Sequence, residues 1–163
     1  MNPQTRSSGN GLIAITLVVG LLLTLMPLPQ WLAAARPEWL LLVLIYWNMA
    51  IPGRIGVGIA WFVGLFQDVA VGALLGQHAL AFALVAYLVM RLHQRLRIYT
   101  VWQQAVAVLV LVALNLLILS WIRGFLGDPP ESLWYWAPAF TSMLIWPLMF
   151  VLLRSLRRRY RIA

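Results

Sequence analysis

Residues 91–97 read "RLHQRLR", and residues 154–161 read "RSLRRRYR". Each closes an apolar segment, and whether both lie on the same side of a membrane decides how often the chain crosses it. Six apolar segments can be drawn, at roughly 11–28, 38–51, 55–71, 74–91, 102–122 and 133–153. A spanning helix needs about 20 apolar residues, with about 17–25 tolerated. The first, fifth and sixth meet that length, while the second and third are short or interrupted. With six crossings and both termini inside, Arg6, Arg54, Arg91, Arg95, Arg97, Arg154, Arg157, Arg158, Arg159 and Arg161 share one side, and only Arg36 and Arg123 fall opposite. The four acids, Glu38, Asp68, Asp128 and Glu131, fall on or toward the outer side. This is the split that positive-inside orientation produces. Five crossings would separate the two arginine clusters. The sequence therefore predicts an all-α, polytopic membrane bundle of six transmembrane helices with both termini cytoplasmic. It forms one domain over 1–163, with 1–10 as a cytoplasmic N-terminus and 154–163 as a basic cytoplasmic tail.

Composition points the same way. Of 163 residues, 63% are hydrophobic and 10% are charged, with a mean hydropathy of +0.88. A soluble domain would carry about 25% charged residues, so the apolar excess needs lipid. The net charge is +8 and every basic residue is arginine. In a soluble chain such basicity would suggest nucleic acid, but here the arginines flank apolar runs, so no nucleic-acid partner is expected. The chain has no cysteine, which removes disulfides and thiolate metal sites. Trp31, Trp39, Trp102, Trp121, Trp134 and Trp136 lie near segment ends, where amphipathic rings favour the interface. Pro27 and Pro29 close the first segment, Pro52 the second, and Pro147 is expected to kink the sixth. "WLAAARPEW" at 31–39 offers a signal-peptidase-like A-x-A pattern, but the preceding run is long for a signal peptide, so the first segment is expected to be a retained span.

The polar interruption is "GLFQDVAVGALLGQH", residues 64–78. Gly56, Ala60 and Gly64 recur every four residues, lining one helix face that lets another backbone approach closely. Asp68 is the next step of four, so it projects near that packed face. A carboxylate in a membrane needs partners, and Gln67, His78 and helix N-terminal amides are at hand. Gly72 and Gly76 suit a turn with unusual backbone angles, and Gln77 and His78 open the next helix. Ala79, Ala83 and Ala86 form a second small-residue stripe, expected to pack on the first. Gln67, Asp68, Gly72, Gly76, Gln77 and His78 are thus the candidate site, either structural or partner-binding. Asn115, mid-way along the fifth segment, is expected to hydrogen-bond between helices. There is no Ser/His/Asp set, P-loop, pair of acids deep in the membrane or zinc spacing, so neither enzyme chemistry nor cofactor nor metal is expected.

These residues carry a resemblance. "MPLPQWL…RPEWLLLVLIYW" (26–47), "G…D…GALLGQHALAFALVAYL" (64–88), "WQQA" (102–105) and the arginine-rich tail resemble the MreD family of rod shape-determining membrane proteins. Asp68, Gly72, Gly76, Ala79 and Tyr87 sit in matching places, while Gln67 departs from a pattern in which an apolar residue is commoner. The resemblance implies a non-enzymatic inner-membrane component of the cell-elongation machinery. Its implied partners are the single-span protein MreC, the filament protein MreB, the synthase pair RodA and PBP2, and membrane lipids. It also implies a fold similar to the vitamin-binding S-components of energy-coupling-factor transporters. That fold raises the alternative of a small-molecule binder whose outer cavity is lined by Asp68, Gln77 and His78. Against this, the sequence offers no evident set of convergent polar groups on several helices.

Overall fold

The computed structural model describes residues 3–162, with side chains from residue 9 onward; the side chain of Arg6 lies outside the described residues. Among the described residues there are helices and no strands: α1 (Pro3–Leu25), α2 (Gln30–Ala33), α3 (Trp39–Ala50), α4 (Val57–Val71), α5 (Gln77–Ile98), α6 (Val101–Phe125), a 3-10 turn (Leu133–Trp136) and α7 (Ala137–Arg159). Among the described residues, three stretches, Gln77–Ile98, Val101–Phe125 and Leu133–Arg159, are long and apolar enough to cross a membrane; Trp39–Ala50 and Val57–Val71 are shorter apolar helices, and the part of α1 with described side chains, Gly9–Leu25, is apolar as well. The first helix spans 23 residues, starting before residue 11 and ending short of residue 28. It stops at Leu25 because Pro27 biases the preceding residue away from helical angles. The fourth segment exceeds expectation, because its helix continues to Ile98 through the arginine cluster.

The shortness of α3 has a physical reason. Its 12 residues rise only about 18 Å, against a hydrocarbon core of about 30 Å. Yet Leu40 through Ala50 are all buried, because α3 packs against α1, α5 and α7. A helix that is apolar on every side belongs inside a bundle. Once enclosed by protein, its ends need not reach the headgroups, since non-helical backbone is tolerated at membrane depth where neighbours satisfy it.

Polar side chains tie the helices at few points. The indole N–H of Trp47 donates to Thr16 Oγ1 at 2.9 Å, joining α3 to α1. Gln104, buried near the start of α6, donates to the carbonyl of Leu96 at 2.9 Å and accepts from the Trp146 indole at 3.4 Å, linking α5, α6 and α7. Thr100 and Gln103 form a capping box that starts α6, with the Gln103 amide donating to Thr100 Oγ1 at 3.4 Å and the Thr100 amide to Gln103 Oε1 at 3.1 Å. α7 runs unbroken through Pro147.

The charged groups sort to opposite ends of this bundle. Arg97 donates to the carbonyls of Met49 (2.9 Å) and Ala50, which brings the last turn of α5 to the end of α3. Arg154, Arg157 and Arg158 of α7 line a cavity with the same residues. Arg54 lies against Gly9, as does Ile162. At the other end, Arg36 donates to the carbonyls of Thr24 and, at 2.7 Å, Met26, satisfying the C-terminus of α1. Arg123 pairs with Asp128 at 2.9 Å. The two arginines that break the charge rule thus each hold a local contact. The acids all lie at this end: Glu38 and Glu131 line one cavity with Arg123, and Asp68 pairs with His78, which lines it too.

Asn115 departs from expectation. It is fully buried on α6, but neither its amide nitrogen nor its oxygen has a hydrogen-bond partner. A buried amide without partners costs about 1–3 kcal/mol. Asn115→Leu is therefore expected to leave stability unchanged or raise it by about 1–2 kcal/mol, read as the unfolding midpoint in detergent. A loss of more than about 1 kcal/mol would mean that the amide is satisfied in the protein.

Candidate functional site

Why does a fully buried aspartate end α4? Its carboxylate gathers the donors that open α5. Asp68 Oδ2 accepts from the backbone N–H of Gly76 at 2.9 Å and of Ala79 at 3.4 Å, and Oδ1 accepts from the N–H of His78 at 2.9 Å. The His78 ring Nδ1 lies 2.7 Å from Oδ1. The first N–H groups of any helix lack internal partners, and an acid placed against them also complements the helix dipole. α5 has no side-chain cap of its own from Gly76; Asp68, eight residues earlier, supplies one. The backbone of Asp68 works as well. Its carbonyl accepts from Ala73 at 2.9 Å and from Gly72, closing α4 in a Schellman-like turn. One residue therefore ends a helix with its carbonyl and begins the next with its carboxylate.

The glycines answer to this geometry. Gly72 has φ +67 and Gly76 φ +98, left-handed values that cost a residue bearing Cβ about 1–2 kcal/mol. Gly76→Ala is expected to destabilise by about that amount while the helical content measured by circular dichroism stays unchanged; no loss would show that the turn relaxes without penalty. Gly64 serves packing instead, because a Cβ there would sit 2.4 Å from Ala79 Cα. Ala60, Ala79 and Ala86 are fully buried, and Ala83 is half-buried. Gly56 has no role in close packing. It caps α4 in ordinary extended backbone, and nothing lies within 4 Å of its Cβ position. Of the glycines in the stripe, Gly64 alone meets backbone, that of Ala79, while Gly56 falls outside the packed face. Gln67 is buried beside Asp68 with its Oε1 unpartnered.

Gln77 and His78 open onto a cavity of about 690 Å³ at the acid-bearing end of the bundle, shared with Glu38, Arg123, Glu131 and Tyr135. Asp68 does not line it; it stands behind His78 and fixes that ring through Nδ1. The polar groups come from the start of α3, the start of α5, the end of α6 and the loop before α7. The convergent set that the sequence did not reveal therefore exists in the fold. Glu38, Arg123 and Tyr135 were missed because they are 85 and 97 residues apart in the chain, counting from Glu38. A signal was present: Arg123 is one of the two arginines on the wrong side of the charge split. Among the described residues no group of three His, Cys, Asp or Glu side chains stands ready for a metal.

Apolar helices around an enclosed core, with buried polar groups spent on joining helix ends, define a helical membrane protein. The family described as rod shape-determining protein MreD matches residues 5–156. The rod shape-determining protein MreD of Haemophilus influenzae is 32% identical over 148 residues, which cover 89% of this chain and 90% of that protein. No solved structure matches the chain. The chain belongs to the MreD family of rod shape-determining proteins.

Proposed function

We propose that this chain is a non-enzymatic, multi-pass scaffold of the bacterial inner membrane, with six spans, a single domain over 1–163 and both termini cytoplasmic. In this reading it docks the transmembrane helix of an MreC-like single-span protein within a rod-shape complex that includes MreB, RodA and PBP2, and so supports lateral peptidoglycan synthesis. The observation that carries the reading is how Asp68 is used. Both carboxylate oxygens are spent on the α5 N-terminus and His78. The turn is therefore a rigid brace between two helices, and the outward face of α4, with Phe62, Phe66 and Val69 exposed, is held in one orientation. In lipid, helices associate through close packing and a few polar contacts, which a braced surface supports. Clustering of most arginines at one end favours the six-span topology by the positive-inside rule.

A second reading has a specific observation behind it. The cavity bounded by Glu38, Gln77, His78 and Arg123 has the size and mixed lining of a small-molecule site, as in a transporter's binding subunit. One experiment separates the two: mild-detergent capture of the tagged protein from its native membrane, with the co-purifying proteins identified by mass spectrometry. Recovery of a single-span periplasmic protein together with the elongation synthase is expected. Recovery of paired ATPases with a coupling subunit would overturn the scaffold reading.

A further inference from the structure

The opposite end of the bundle holds a site that the scaffold role does not use. Where α3, α5 and α7 end together, a cavity of about 320 Å³ is lined by Arg97, Arg154, Arg157 and Arg158, with Tyr46, Gln104 and Phe150 among its walls. None of these four arginines forms an ion pair among the described residues, and all four acids lie at the far end of the molecule. Two of the arginines are held in place. Arg97 is anchored by the carbonyls of Met49 and Ala50. Arg154 sits over the Phe150 ring, 5.8 Å from its centroid. The α3 carbonyls engage one arginine, so they do not neutralise the other three.

We propose that this cavity binds a phosphate-bearing anion, with the guanidinium groups of Arg154, Arg157 and Arg158 on the phosphate oxygens and Arg97 fixing the back of the site. Planar guanidinium groups present paired donors that match phosphate oxygens. Four like charges around one space repel each other, and an anion relieves that repulsion. The site is also amphipathic. Its walls include Phe150 and Met49, and it opens where arginine-bearing helix ends leave the apolar bundle. A phospholipid headgroup meets both demands, since its phosphate carries acyl chains alongside, and basic pockets between helices hold such headgroups. A soluble phosphate ester shares the phosphate chemistry without the chains. The site differs from a diffuse basic tail in being a concave space built by four helices, including a residue some 60 positions before the tail.

The test compares two double variants of equal charge on the full chain. Arg154→Gln with Arg157→Gln removes cavity residues; Arg95→Gln with Arg159→Gln removes arginines outside it. Each protein, in zwitterionic detergent, is titrated with phosphatidylglycerol in mixed micelles, with phosphatidylcholine and with inorganic phosphate, following the melting temperature and tryptophan fluorescence. For the parent chain, saturable stabilisation by phosphatidylglycerol and none by phosphatidylcholine is expected. The cavity variant should bind at least about tenfold more weakly, as loss of charged hydrogen bonds implies, while the outer variant should match the parent. Saturation by inorganic phosphate at comparable concentrations would support the same cavity and name a soluble phosphate as its source. Equal weakening in both double variants, or no saturable binding in the parent, would overturn the proposal. If the cavity double variant melts lower without lipid, Arg158→Gln alone decides by the same criterion. Micelle binding does not depend on which compartment the cavity faces, so the outcome is separate from the topology and from the identity of the protein partners.

Discussion

Asp68→Ala is expected to lower the unfolding free energy by about 3–5 kcal/mol, in the range for a buried charge network that loses a member. The substitution removes the acceptor for the Gly76, His78 and Ala79 amides and for the His78 ring at once. The carboxylate itself is fully buried, while Gly76 and His78 are part-buried beside the cavity, so water could reach some of these donors but could not supply all four contacts from one place. Asp68→Asn separates geometry from charge. It keeps one acceptor oxygen but turns an NH₂ toward other donors, so it should lose roughly half as much, on the scale of about 1–3 kcal/mol for each buried donor left unpaired. Denaturant or thermal unfolding in detergent measures both, and membrane levels of the two variants should follow the same order. If Asp68→Ala unfolds at the parent midpoint, the carboxylate is not the cap described, and its role must be sought in binding instead. If stability falls but the surviving folded fraction still captures its partner normally, the residue braces the fold without contributing to docking.

Gly64→Ala carries the second large effect. The added Cβ would lie 2.4 Å from Ala79 Cα, 2.5 Å from Ala79 N and 2.7 Å from the carbonyl carbon of His78. All three are backbone atoms, so no side chain can swing aside. The closely packed α4 and α5 would have to separate, and the Asp68 cap sits one turn further along the same interface. Overpacking of this kind costs about 1–3 kcal/mol and occasionally more; with the cap strained as well, the upper end is expected. Gly56→Ala is the matched control. It lies on the same four-residue spacing but has open space around it, so its replacement brings no clash and costs only the loss of a favoured N-cap residue, about 0.5–1 kcal/mol. Equal effects at the two positions would mean that helix propensity governs both, and that the crossing at Gly64 is looser than 2.4 Å suggests.

How much of this was legible beforehand depends on the range of the interaction. The Asp68 turn was readable because its parts lie within eleven residues: a carboxylate, two glycines and the first amides of the next helix. Its direction was legible in part: the residues favoured hydrogen bonds within the fold, at the end of the third segment and its glycine turn, but spacing alone left a partner role open. The small-residue stripe was over-read. Period-four spacing marks Gly56 and Gly64 alike, but only Gly64 lies where another backbone passes; Gly56 has open space around it. Asn115 was expected to bond across helices because buried amides generally do, and its neighbours in space proved to offer no partner. The acid-end cavity escaped notice because Glu38, His78 and Arg123 belong to three distant segments.

By itself, the sequence determined the helical class, the approximate limits of the apolar helices, the family and the separation of arginines from acids. These follow from composition, local periodicity and the order of charges along the chain, none of which needs a third dimension. Only the tertiary structure decided that α3 is enclosed by protein, that Arg36 binds the carbonyl end of α1 and Arg97 that of α3, and that four arginines and a separate polar group set surround two cavities. Those features depend on which helix faces meet. In a bundle this apolar, many faces look alike to the sequence, and the choice among them is made by close packing at single points such as Gly64 on Ala79, and by the few buried polar groups that have one place to bond.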